Sequence, residues 1–213
     1  MEHIAQVLKK YTKLSLCQII DALGPSHEFE SEIRPIGSNF RTCGPALTVF
    51  CPADDNLTLH HALHSAKSGE ILVVSGGGSC NAALWGELMS TSARARGLGG
   101  TVIDGAVRDL LELQAIEYPV FARAIVPRRA TKEKYGNIGT PIRCGKLQVN
   151  CGDIILADIN GIIAIPPAKL EETLRLAAEA AKKESAIKRQ IGRGTSLFEI
   201  LTLESKVPRG KCN

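Results

Sequence analysis

Short runs of apolar and β-branched residues recur along the chain, at Ala46 to Cys51, Ile71 to Ser75, Thr101 to Asp104, Ile154 to Ala157 and Ile162 to Ile165. Their length and glycine borders predict strands, because branched side chains fit a pleated, half-buried surface and glycine closes such runs. Between them, helical apolar spacing predicts helices over Asn56 to Ala66, Asn81 to Arg96 and Arg108 to Ile116. The first half of the second, Asn81 to Trp85, need not be regular. Strand and helix alternating in this way imply an α/β fold with a partly parallel sheet. From Thr140 the pattern changes, and CGK, CGD and NG turns between short apolar runs predict an antiparallel meander. After Pro166 and Pro167, Leu170, Leu174, Ala177, Ala178 and Ala181 mark one face of a long helix from Ala168 to about Ile191. Gly192 and Gly194 end it, Thr195 or Ser196 caps a last short helix, and VPRGKCN reads as a loose tail.

With 213 residues and 44% hydrophobic content, the chain can bury one substantial core. The expectation is one domain over residues 1–213, with a core at about 15–167 and a helical extension at about 168–205. Twenty-six basic and 22 acidic residues leave a formal charge of +4, concentrated in the C-terminal third. That imbalance is too mild for a nucleic-acid surface. The opening MEHIAQVLKKYTKL has an early acid and no long apolar run, and no later stretch reaches membrane-spanning length, so a soluble cytoplasmic protein is expected. The seven cysteines, Cys17, Cys43, Cys51, Cys80, Cys144, Cys151 and Cys212, form no CxxC pair. Their odd number and mostly apolar or glycine-flanked contexts predict reduced thiols packed as small hydrophobes.

The densest candidate chemistry lies between Gly69 and Asp109. Gly76 to Gly78 follow a buried strand, but the pattern breaks GxGxxG at Asn81 and has no GKS or GKT, so neither a dinucleotide loop nor a P-loop is matched. The three glycines turn the chain, or form a pocket wall where backbone meets ligand. If a helix starts at Gly86-Glu87-Leu88-Met89, its free N–H groups suit a carboxylate; otherwise Gly86 is an ordinary helix glycine. Arg108 and Asp109 stand where a strand gives way to a helix, the end of an α/β sheet at which ligands collect. An arginine there can clamp a carboxylate or enolate oxygen, and an aspartate can hold a hard cation; the plainer alternative is a helix-start acid beside a surface arginine. His60 and His64 share a helical face with metal-ligand spacing, but no HExxH is present. Glu112 either supports a metal shell or pairs with a lysine. Arg128 and Arg129, with Lys132 beyond them, form a charged loop that is either solvated or meets a dicarboxylate or another subunit.

The string GEL, a helix, and then DGAVRD, with Glu87 21 positions before Arg108, resembles the signature of one family. It contains the 4-hydroxy-4-methyl-2-oxoglutarate aldolases, which are also oxaloacetate decarboxylases, and the RraA regulators of ribonuclease E activity. The resemblance runs from DAL at Asp21 through GPA at Gly44 and VVSGGG to GDIILADINGIIAIP. It implies a three-layer β/β/α swivelling-domain-like fold with mixed sheets, assembled as homotrimers or hexamers with sites between subunits. It also implies a class II pyruvate aldolase dependent on Mg2+ or Mn2+ and acting on a small 2-keto dicarboxylic acid. Backbone N–H groups of Gly86, Glu87, Leu88 and Met89 would bind the pyruvyl carboxylate, Arg108 would hold a substrate oxygen, and Asp109 would be the direct metal ligand. Glu87 would orient a water of the cation, and a neighbouring subunit would add a further glutamate, matched to Glu184, with Glu179 and Glu199 as rivals.

The same resemblance supplies the main alternative, a non-catalytic RraA-type protein-binding regulator of ribonuclease E. Short regulators of this type stop soon after the GIIAIP strand, whereas this chain continues into the helix bearing Glu179 and Glu184. A methyltransferase, the historical label of some relatives, would need a glycine-rich cofactor loop that is not matched. A lyase for another 2-keto acid, with a changed pocket around Ser79, Asn81, Trp85 and Arg128, stays open.

Overall fold

The computed structural model describes residues 10–11, 13–37 and 41–207, so Cys212 and the tail beyond Val207, with most of the opening segment, lie outside it. Its strands are β1 (Arg34–Pro35), β2 (Thr42–Phe50), β3 (Ile71–Ser75), β4 (Ala83–Trp85), β5 (Gly100–Val107), β6 (Val120–Ile125), β7 (Asn137–Ile138), β8 (Ile142–Cys144), β9 (Leu147–Val149), β10 (Ile154–Asp158) and β11 (Gly161–Ile165). The helices are α1 (Leu16–Leu23), α2 (Leu57–Ser65), α3 (Glu87–Ala95), α4 (Leu110–Ala115), α5 (Leu170–Ile191) and α6 (Leu197–Ile200).

Nine strands form one mixed sheet in the order β1-β6-β5-β3-β2-β10-β11, with β4 beside β5 and β7 beside β2. The centre is parallel, from β2 through β3 and β5 to β6. β10 joins it antiparallel on β2 and pairs with β11 in the predicted hairpin. β8 and β9 make a separate antiparallel pair. Side chains alternate across a strand, so β3 serves two cores at once. Leu72 and Val74 face the cluster built with α2 and α3, while Ile71 and Val73 face one shared with Ile142, Cys144 and Val149. Ile155, Ala157, Ile162 and Ala164 also join that second core, so the sheet curls until its antiparallel side faces its parallel side. Their strand neighbours Ile154, Leu156, Ile163 and Ile165 point outward, where α1 and Leu170 and Ala177 of α5 cover them. This is the expected β/β/α arrangement with a long C-terminal helix.

Two expectations are corrected and one strand is added. Ala83 to Trp85 is a strand rather than part of a helix, because it pairs with β5 and its residues are fully buried. Strand β5 runs on to Val107, so the helix predicted from Arg108 starts only at Leu110. The run Val120 to Ile125, unassigned in the sequence, is the strand β6 that lies between β5 and β1. The cysteines also divide: Cys51 and Cys144 are buried, but Cys17, Cys80 and Cys151 are exposed. Among the described residues all are free thiols, and no helix is long and apolar enough to cross a membrane.

Beneath the sheet, Arg123 of β6 pairs with Asp104 of β5 and with Glu30 at 2.5 Å. The Gly145 N–H also donates to Asp104, at 2.7 Å, which ties the β8–β9 turn to the central strands. The Arg123 hydrogen bond holds the Glu30 carboxyl below its ordinary range.

Leu72 is 0% exposed at the centre of the first core. Leu72→Ala is expected to destabilise the protein by about 2–5 kcal/mol, through lost apolar transfer and the cavity left behind. Urea denaturation followed by circular dichroism measures it as a lower midpoint with an unchanged slope.

Candidate active site

Strands β4 and β5 run in parallel with Trp85 beside Val107, so the residues that follow each strand emerge side by side. The Arg108 N–H donates to the Trp85 carbonyl at 3.0 Å and continues that pairing by one residue. Gly86 then lies directly against Arg108 and Asp109. A Cβ at Gly86 would stand 2.5 Å from Asp109 Oδ2 and 3.1 Å from Arg108 Cγ, so only glycine fits.

Asp109 adopts a left-handed backbone (φ 61°), which aspartate tolerates better than most residues and which turns its side chain back toward α3. Its Oδ2 accepts the Glu87 N–H at 3.0 Å and lies 3.4 Å from Arg108 Nε. The carboxylate thus sits on the positive end of α3, which has no side-chain cap of its own. Ser90 donates to the Gly86 carbonyl, the first i to i−4 bond of the helix, and the Leu88 and Met89 N–H groups lie ahead of that ladder. Trp85 anchors the turn from below: its Nε1–H donates to the buried Ser90 Oγ at 2.6 Å and its ring stacks on Tyr118.

Trp85, Gly86, Leu88, Met89, Arg108 and Asp109 line a cavity of about 170 Å3. The facing wall comes from the start of α2 and from the loop carrying Arg129 and Lys132. Asp55 holds that loop in place. One of its oxygens accepts from Thr131 Oγ1 at 2.6 Å and from the Glu133 and Lys134 N–H groups at 2.7 and 3.1 Å; the other accepts the Leu57 N–H. Burial works against the charge of Asp55, but these hydrogen bonds outweigh it and bring its pKa down to about 2. Asn56 donates from Nδ2 to the Leu84 carbonyl at 2.9 Å, joining α2 to β4. Its Oδ1 is the one buried side-chain oxygen or nitrogen without a hydrogen-bond partner among the described residues. His60, one turn along α2, also reaches the cavity, and burial followed by the nearby Lys132 ammonium lowers its pKa below the ordinary value.

The structure brings Gly86, Leu88, Met89, Arg108 and Asp109 to one cavity. Glu87 joins them through its backbone, while its side chain is exposed and does not line the wall. Within its own chain Glu184 accepts from Gln18 Nε2 at 2.8 Å and does not line this cavity. Glu179 pairs with Arg175, and Glu199 closes a capping box with Ser196. Glu112 is exposed one turn into α4. Ser79 is tied to Asp54, and Asn81 is exposed at the loop that follows the glycine turn. That turn leaves little for a phosphate, since the Gly76 and Gly78 N–H groups both donate to the Asp104 carbonyl. The histidines of α2 do not converge: His61 bonds Tyr135, His60 faces the cavity and His64 is exposed. Sequence reasoning missed Asp55 and Asn56, although an Asp-Asn pair immediately before an apolar helical run is a recognisable helix start.

The model of a family described as RraA-like, Aldolase/RraA, matches residues 16–164, well over half of the chain. The chain belongs to the RraA-like family. A relative from Halalkalibacterium halodurans, provisionally named 4-hydroxy-4-methyl-2-oxoglutarate aldolase, is 34% identical over 81% of this chain and 82% of its own length. An uncharacterized protein of Pseudomonas syringae has a similar structure, with a TM-score of 0.82 and 25% identity over 92% of this chain and 96% of the other. The RNA-processing inhibitor RraA from Thermus thermophilis matches with a TM-score of 0.67 and 28% identity, over 71% of this chain and 92% of its own. The family match ends before α5, so that helix and α6 lie beyond it.

Two measurements probe the geometry without assuming an activity. Gly86→Ala is expected to cost about 1–3 kcal/mol, because the new methyl must displace the Asp109 carboxylate; chemical denaturation of the two proteins reads the difference. Asp55 has a depressed folded pKa, so its contribution is complete above about pH 4 and fades as pH falls toward about 2. Asp55→Asn is therefore expected to lower stability at pH 6 and to show a shallower loss than the unmodified protein between pH 4 and pH 2, measured by denaturant titration across that range.

Proposed function

We propose that the protein is a divalent-metal-dependent carbon–carbon lyase. It cleaves 2-keto dicarboxylic acids of the 4-hydroxy-4-methyl-2-oxoglutarate type to pyruvate, and decarboxylates oxaloacetate through the same pyruvate enolate. The observation that carries this reading is the small cavity in which Arg108, Asp109 and the open first turn of α3 meet two further cations, Arg129 and Lys132. Such a lining suits an acid with a charge at each end. The Leu88 and Met89 N–H groups hold the pyruvyl carboxylate. Arg108 faces the 2-keto oxygen and stabilises the negative charge that develops there as the bond between C3 and C4 breaks. Arg129 and Lys132 take the distal carboxylate.

The donor set fits a hard cation. Asp109 Oδ2 is occupied by the Glu87 N–H and by Arg108, and Oδ1 is left without a protein hydrogen bond among the described residues. No group of three or more His, Cys, Asp or Glu side chains is gathered among them, so Asp109 would be the direct ligand, with waters completing the shell as Mg2+ or Mn2+ accepts. Glu87, and Glu184 from a second copy, would steady those waters. A bound cation supplies Lewis-acid polarisation of the keto group.

Assembly into a homo-oligomer, trimer or hexamer, belongs to this reading. Leu88 at the cavity and Leu111 of α4 are 79% and 74% exposed, and Ile191 of α5, Leu197 and Phe198 of α6 and the following Leu201 are exposed as well. Covering such groups is what a neighbouring copy would do.

With Mg2+ or Mn2+ added to metal-stripped protein, pyruvate release from oxaloacetate and from 4-hydroxy-4-methyl-2-oxoglutarate is expected in a lactate dehydrogenase-coupled assay. Arg108→Ala and Asp109→Ala are each expected to lower kcat/KM by at least about a hundredfold. No release above the metal-only background from either substrate would instead favour a protein-binding regulator of the RraA type.

A further inference from the structure

Retro-aldol cleavage needs an acceptor for the C4 hydroxyl proton, and the Glu87 side chain does not line the cavity. We propose that His60, on the wall facing Arg108 and Asp109, is that acceptor and is a catalytic residue of the aldol reaction; the assignment rests on the lyase reading. His60 is half-buried and belongs to the same cavity of about 170 Å3 as Arg108, Asp109, Gly86 and Lys132. A keto acid that fills this cavity borders all of them.

Its backbone is anchored through Asn56. The His60 N–H donates to the Asn56 carbonyl at 3.1 Å within the first turn of α2, and the Asn56 side chain binds the Leu84 carbonyl two residues before Gly86. The turn of α2 that carries His60 is therefore tied to the strand leading into the substrate-binding turn. The remaining side chains that give the cavity its charge are the cations Arg108, Arg129 and Lys132, which cannot accept a proton, and Asp109, whose Oδ2 is already engaged. Burial and Lys132 keep the imidazole neutral at pH 7, the form that accepts a proton. In the reaction, the C4 hydroxyl proton moves to the free imidazole nitrogen and C4 becomes a carbonyl. The electron pair of the C3–C4 bond forms the C2–C3 double bond and the carbonyl π pair moves onto the C2 oxygen, giving the enolate. The imidazolium then returns its proton to C3, which releases pyruvate and restores neutral His60.

Oxaloacetate provides the internal control, since losing its carboxylate as carbon dioxide requires no hydroxyl deprotonation, so His60 stays neutral and the enolate takes its C3 proton from solvent water. Metal-loaded His60→Gln and His60→Ala are expected to lose at least about a hundredfold in kcat on 4-hydroxy-4-methyl-2-oxoglutarate, within the usual range for a general base, while kcat on oxaloacetate stays within about threefold. Glu87→Gln, at the water shell used by both substrates, is expected to slow both. In the unmodified enzyme, kcat/KM for the hydroxy acid should fall as pH drops through a limb below the ordinary histidine range; oxaloacetate decarboxylation should lack that limb. This profile tests the assignment even if the His60 variants fail to fold. Equal losses on both substrates, or a hydroxy-acid limb shared with oxaloacetate, would assign His60 a structural role and overturn the proposal. Release of pyruvate from oxaloacetate alone would overturn it while keeping the lyase, and no release from either substrate would remove the lyase reading itself.

Discussion

The parallel pairing of β4 with β5 is the contact on which the site depends. It delivers two chain segments, 22 residues apart at Glu87 and Asp109, to one point, where a carboxylate meets the exposed end of a helix. Charge-assisted hydrogen bonds from helix N–H groups to a carboxylate are about twice as strong as neutral ones, so this contact fixes Asp109 firmly. It also brings the Asp109 and Arg108 side chains so close to position 86 that the residue between strand and helix must lack a side chain. The left-handed turn at Asp109, the glycine at position 86 and the open N–H groups of α3 follow from this one approach.

A second carboxylate does the same for the opposite wall. Asp55 is buried, and a buried charge is costly unless fully hydrogen-bonded. Here two backbone N–H groups and a hydroxyl from one loop, with the Leu57 N–H from α2, satisfy it. The 129–134 loop, which would otherwise be a mobile string of charges, is thereby pinned where Arg129 and Lys132 turn into the cavity. Long cationic side chains on a pinned loop make a site; on a free loop they make a solvated surface. The two walls are joined by Asn56, whose amide spans from α2 to β4.

The double core explains why the site end of the sheet can be held so firmly. Every residue of β3 and of β5 is buried, because helices cover one face and the returning antiparallel strands cover the other. Strands buried on both sides cannot shift register without exposing apolar surface, which keeps Trp85 beside Val107. By contrast α5 and α6 leave the apolar side chains Ile191, Leu197 and Phe198 at the surface.

Much of this was written in local pattern. Branched runs marked β2, β3, β10 and β11, the CGD and NG turns marked the hairpin, and the spacing of Leu170, Leu174 and Ala177 marked α5, because those elements bury a face whose period the sequence displays. The Gly86-Glu87 and Arg108-Asp109 pairs were legible through their resemblance to the RraA-like family. What the sequence could not determine were relations between distant residues. Ala83 to Trp85 has no alternation to separate strand from helix, and only pairing with β5 decides it. The short β6 run is given its place by the neighbours on either side. Asp55 and Asn56 carry no catalytic motif in one dimension, and His60 and Lys132 stand out there only as part of a histidine-bearing helix face and a charged loop; they become one wall because the loop folds back 76 residues to reach Asp55. Local periodicity and motif determined the elements and the central pair, and the choice of cavity partners was made by long-range packing.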